Sequence, residues 1–106
     1  MTESDNGKTV RVHVGDIISL SLQENAAAGY RWAFEFLDSK SITANEVDYG
    51  GTSESVGSGG MMKWTLKAIL PGSTEVRLKL WRHWEGEASV QKRFAVTLII
   101  RDSGSP

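Results

Sequence analysis

Apolar residues occupy every second position in six separate runs of this chain: Val10, Val12 and Val14; Ile18, Leu20 and Leu22; Tyr30, Trp32, Phe34 and Phe36; Met62, Trp64, Leu66 and Ala68; Val76, Leu78 and Leu80; and Phe94, Val96, Leu98 and Ile100. A repeat of two is that of a half-buried β-strand, with one face on a core and the other in water. Arg11 and His13 fill the gaps between the valines of the first run as an outer face should. A weaker seventh run lies over residues 42–49, where Asn45, Glu46 and Asp48 dilute it. Turn signals fall between the runs at Gly15-Asp16, at residues 38–41 and at Pro71-Gly72. About seven short strands at this spacing predict an all-β, antiparallel sandwich or barrel.

One stretch offers a helical rival. Ser21 and Glu24 have capping-box spacing, three alanines follow at Ala26, Ala27 and Ala28, and Leu22, Ala26, Tyr30 and Phe34 would share a helix face. A helix would scatter the four aromatics of the 30–36 run around its circumference. It would also place Gly29 inside, at about 1 kcal/mol relative to alanine. The periodicity therefore favours strand, loop, strand.

The chain has 106 residues, enough for one domain with one core, and 40% of them are hydrophobic. The expectation is a single, monomeric domain over residues 1–106, with loose tails at 1–8 and 102–106. Twelve basic residues against thirteen acidic ones give no global field for nucleic acid or an anionic membrane. No stretch approaches the roughly 20 apolar residues of a membrane span. Residues 1–10 lack the basic-then-apolar pattern of a secretory signal, and the compartment stays open, periplasmic or secreted included. The absence of cysteine removes disulfides, thiolate nucleophiles and cysteine zinc sites together.

Strands that alternate in direction place successive connections at alternate ends of a sandwich. The first, third and fifth connections are the short turns. The second, fourth and sixth, over residues 23–29, 50–60 and 82–89, are longer and share the other end. Loops grouped on a rigid scaffold are where binding usually resides. The fourth, GGTSESVGSGG, is too glycine-rich to pack and is expected to move; Gly57, Ser58, Gly59 and Gly60 would offer bare backbone groups to an extended chain. The sixth opens with Trp81, Arg82, His83 and Trp84, and Trp and Arg are the residue types enriched at binding hot spots.

Catalytic constellations do not assemble. The two histidines, His13 and His83, fit no zinc spacing, and no G-x-S-x-G elbow is present. Paired carboxylates stay open, because their pairing is spatial. The chain reads as a non-enzyme without cofactor or metal. A carbohydrate-binding or adhesion sandwich using Trp81 and Trp84 as stacking platforms is the alternative.

Taken together, the three loops resemble those of the chagasin family of cysteine-protease inhibitors, which carries an N-P-T-T-G-Y/F type loop, a glycine-rich G-x-G-G type loop and an R-P-W type loop. The counterparts are Asn25, Ala26, Ala27, Ala28, Gly29 and Tyr30; Gly57, Ser58, Gly59 and Gly60; and Arg82, His83 and Trp84. The resemblance runs from about Val10 to Ile100 and implies an immunoglobulin-like sandwich. It further implies reversible inhibition of papain-like cysteine proteases by a three-loop wedge in the active-site cleft. In that reading Ala26 to Ala28 meet the catalytic centre, the glycines lie along the non-primed side, and Arg82 and Trp84 anchor the primed side. Alanines stand where the family has proline and two threonines, and His83 stands where it has a second proline. Both loops thereby lose covalent preorganisation, which costs affinity.

Overall fold

The computed structural model describes residues 1–24, 28–47 and 61–102. The described residues form seven strands in order: β1 (Thr9–His13), β2 (Ile17–Gln23), β3 (Arg31–Leu37), β4 (Ile42–Val47), β5 (Met61–Ala68), β6 (Gly72–Trp81) and β7 (Lys92–Arg101). They form a four-stranded sheet ordered β1-β7-β6-β3 and a three-stranded sheet ordered β2-β5-β4. The inward positions of the alternating runs meet between them: Leu20, Leu22, Ile42, Leu66, Val76, Leu78, Phe94, Val96 and Leu98 are fully buried. Each such side chain contributes roughly 1.5–3 kcal/mol by leaving water.

All neighbouring strands pair antiparallel except one: β1 lies parallel to β7, with Val10 opposite Leu98 and Val12 opposite Ile100. Alternation itself requires this, since the first and seventh of seven alternating strands run the same way. Once they become neighbours they can pair only in parallel.

From Trp32 on, the aromatic run lies in strand β3, as its period predicts, but its phase changes partway. Phe34 faces Leu78 and Phe36 faces Arg77, so Glu35 is the extra residue of a β-bulge. Beyond the bulge Leu37, opposite Val76, takes the core side, while Phe36 turns outward and is half exposed. Phe36 thus does not continue the inner stripe that alternation assigned to it. Phe34 does, with its ring edge-on to Trp64 at 5.7 Å between centroids.

The first eight residues, expected as a loose tail, are hydrogen-bonded to both sheets. The Ser21 N–H donates to the Met1 carbonyl at 2.9 Å, and the Gly7 N–H to the Ala95 carbonyl at 2.7 Å. The Ala95 N–H in turn donates to Asn6 Oδ1 at 2.8 Å.

Short turns close the end away from the longer loops. Asp38 caps its turn by accepting from the Lys40 N–H at 3.1 Å and the Ser41 hydroxyl at 3.0 Å. Gly15 holds φ at +94°, a left-handed backbone that glycine adopts without a steric penalty.

Candidate functional site

Strand register fixes where the longer loops leave the sandwich. Gln23, the last residue of β2, faces Met61, the first of β5. Arg31, the first of β3, faces Trp81, the last of β6. Near the end of β4, Val47 faces Lys63. The stems of all three loops therefore emerge at one end. Asn25, Ala26 and Ala27, and the glycine-rich Gly57, Ser58, Gly59 and Gly60, lie outside the described residues, so the contacts below concern Ala28, Gly29, Tyr30 and residues 82–89.

The base of the first loop is built around a carboxylate, Glu24, whose burial the sequence pattern does not reveal. Glu24 is only 7% exposed. It accepts from the Trp32 N–H at 3.4 Å and lies 3.6 Å from the Arg31 guanidinium. The Trp32 indole donates to the Gln23 carbonyl at 2.8 Å, so both strands flanking the loop are tied across its mouth. The sequence offers a capping-box spacing with Ser21 and a glutamate at the end of an alternating run, and neither marks burial, since exposed glutamates occur in both settings.

Arg82 joins two loops. Its Nε donates to the Ala28 carbonyl at 2.9 Å, its guanidinium lies 4.5 Å from the Tyr30 ring centroid, and Nη1 reaches Glu85 Oε1 at 3.4 Å. A planar fork is suited to such multiple engagement in a way that an ammonium is not. Two residues on, Trp84 rests on Gly29: a Cβ built there would lie 2.9 Å from Trp84 Cη2. Gly29 also has φ +87°. Glycine is thus required twice over, by the left-handed backbone and by the indole against it.

Trp84 is nevertheless 62% exposed, and His83 beside it meets the indole edge-on at 5.2 Å. An exposed tryptophan held in place on a loop is the kind of group that anchors protein interfaces. Beside His83 a cleft of about 290 Å³ opens between the sheets; Arg31, Glu46 and Trp81 line it.

Trp81 has another role. The Lys79 ammonium sits 3.7 Å from its ring centroid and is ion-paired to Glu87, and the Lys79 side chain is only 13% exposed. Glu87 also receives Arg93 Nη2 at 2.7 Å, and Arg93 Nε reaches Glu35 at 3.3 Å. The Lys79 hydrogen bond, helped by the nearby positive charges, holds the Glu87 carboxyl below its usual range. This chain of alternating charges fastens residues 86–89, a 3-10 turn, to the outer face of the four-stranded sheet. With Lys79 on its ring, Trp81 does not offer the open platform that paired sugar stacking would need, and the carbohydrate reading is not favoured.

Among the described residues no group of three or more His, Asp or Glu could hold a metal ion.

The sequence model of the chagasin family peptidase inhibitors, I42, matches residues 11–98 of the chain. Chagasin of Trypanosoma cruzi is 28% identical, over 92% of this chain and 94% of that protein. In three dimensions the chain resembles the cysteine protease inhibitor EhICP2 of Entamoeba histolytica, with a TM-score of 0.77 at 20% identity, covering 95% of this chain and 92% of that one. It also resembles PbICP-C, solved in complex with falcipain-2, with a TM-score of 0.60 at 17% identity over 92% and 91% of the two chains.

Proposed function

The chain belongs to the chagasin family of peptidase inhibitors, and from that premise we propose that it inhibits papain-like cysteine proteases by filling their active-site cleft with the loops at one end of the sandwich. The observation that carries this reading is the Arg82 bridge to the Ala28 carbonyl, which makes the first and third loops one unit before any partner arrives. A preassembled unit spends less free energy on ordering when it binds.

Within that unit the roles divide. Arg82 turns its donors inward, onto Ala28 and Glu85, and serves as the clamp. Trp84 and His83 face outward and supply contact area on the primed side. Ala28 ends the run of small side chains that meets the catalytic centre, where a narrow cleft admits backbone and methyl groups more readily than bulk. Asn25, Gly29 and Tyr30 shape that loop, and Gly57, Ser58, Gly59 and Gly60 offer backbone hydrogen bonds on the non-primed side. The protein blocks rather than catalyses, and it needs no cofactor.

Titration of papain, and of cathepsin-like proteases, tests the proposal. Competitive, stoichiometric inhibition at nanomolar to micromolar concentration is expected. Full activity of several such proteases at high inhibitor concentration would overturn it.

A further inference from the structure

The third loop is closed by a side chain that lies outside the R-x-W motif. Ser89 Oγ accepts from the Arg82 N–H at 3.0 Å and shares its one hydrogen between the Arg82 carbonyl, 2.9 Å from Oγ, and the Gly86 carbonyl, 2.7 Å from Oγ. The Arg82 carbonyl also accepts from the N–H groups of Glu85 at 2.9 Å and Gly86 at 3.2 Å. Sheet pairing of this strand with β3 ends one residue earlier, at Arg31 opposite Trp81. Both backbone polar groups of Arg82 therefore close within the loop, and the Ser89 hydroxyl touches each of them.

The direction in which the Arg82 side chain leaves the backbone is set by this knot. Its reach to Ala28 follows from that direction, and Trp84, two residues on in the same closed loop, seats on Gly29. Position 83 adds no constraint of its own, because a histidine leaves φ free where a proline would fix it. We propose that Ser89 is a positioning residue for protease binding: its hydroxyl holds Arg82, and through Arg82 the paired loops, in the conformation that enters the cleft. The proposal rests on the inhibitor reading above. A hydrogen-bonded latch here supplies the preorganisation that the missing proline does not.

A loop competent for only a fraction of the time weakens apparent affinity by the inverse of that fraction. Once seated, the loop is held by its partner, so loss of the latch should slow association more than it speeds dissociation. Removing the hydroxyl is expected to raise the inhibition constant by about threefold to tenfold, in line with the worth of such hydrogen bonds.

The test has two arms, on wild type, Ser89→Ala and Ser89→Thr. In the free protein, amide exchange at Arg82, Glu85 and Gly86 should speed up about tenfold in Ser89→Ala and return in Ser89→Thr, with the inner amides of β6 and β7 unchanged. In stopped-flow mixing with papain, Ser89→Ala should associate more slowly, with dissociation changed less than twofold, and Ser89→Thr should recover. Unchanged exchange in Ser89→Ala overturns the latch without reference to any protease. Faster exchange with unaltered association overturns the positioning role and leaves the inhibitor reading standing. A threonine variant as loose as the alanine one removes the hydroxyl from its assigned place. Wild type that inhibits no papain-like protease ends the inhibitor reading and the positioning role together, while the exchange arm still reports whether the latch exists.

Discussion

Arg82 Nε donates to the Ala28 carbonyl at 2.9 Å, a bond between groups 54 residues apart in the chain. Because the same guanidinium also lies on Tyr30 and meets Glu85, the first and third loops share one pivot. Substitutions in either loop should then couple, as contacting residues do.

Arg82→Lys is the direct probe of that pivot. Lysine keeps the charge but not the planar fork, so it cannot serve Ala28, Tyr30 and Glu85 at once. Inhibition of papain should weaken by about 1.5–3 kcal/mol, the worth of one lost hydrogen bond to a charged group. An inhibition constant equal to wild type would show that charge alone suffices.

Trp84→Ala separates binding from folding. The indole is 62% exposed, so its removal should change thermal stability by less than about 1 kcal/mol. Inhibition should weaken by about 1–3 kcal/mol, in the range of interface anchors. Equal losses in melting and in inhibition assays would make Trp84 a structural residue.

Gly29→Ala places a methyl group where the Trp84 ring rests, 2.9 Å from Cη2, on backbone at φ +87°. Left-handed backbone costs a non-glycine residue about 1–2 kcal/mol. The indole must shift to admit the methyl. A change in tryptophan emission together with weaker inhibition is the expected pair of results; normal emission would mean that the loop accommodates the methyl without moving Trp84.

How far the sequence discloses this molecule is clearest along β3. Alternation places Phe34 and Phe36 on one face, and it is right for Phe34 and wrong for Phe36. A bulge at Glu35 depends on cross-strand register with β6, which local pattern cannot express. The same limit hides the parallel β1–β7 pair, which follows from strand count and adjacency together. It also hides Glu24, buried only because Trp32 and Arg31 come to it from across the loop. By contrast, the grouping of the loop stems was legible, because connection parity needs only the number of strands. The Ser89 and Glu87 contacts were not, since both depend on how a 3-10 turn folds back over the sheet. The bulge yields a test. Phe34→Ala should cost about 2–4 kcal/mol of stability through lost contact with Trp64 and the core, and Phe36→Ala less than about 1 kcal/mol. Similar losses at both positions would place the two rings on the same face.

Acid should loosen the third loop through Glu87. Its carboxyl titrates below the ordinary glutamate range, first because Lys79 hydrogen-bonds to it and then because Lys79 and Arg93 bring positive charge. A group whose folded pKa is depressed adds stability that is present above its unfolded pKa and lost as pH falls through the folded one. Glu87 is solvent-exposed, so the effect is that of a surface network, screened by salt. Wild type should therefore melt above Glu87→Gln at neutral pH and low salt. The gap should narrow with added salt, and should close as pH drops below the glutamate range. Asp5 is depressed in the same way, chiefly by the Thr2 N–H, but at the other end of the sequence, so its contribution remains in Glu87→Gln and cancels in the comparison. A gap that stays constant down to strongly acidic pH would show that the glutamine variant perturbs packing rather than charge, and would remove the ion pairs to Lys79 and Arg93 from the account of how residues 86–89 are held.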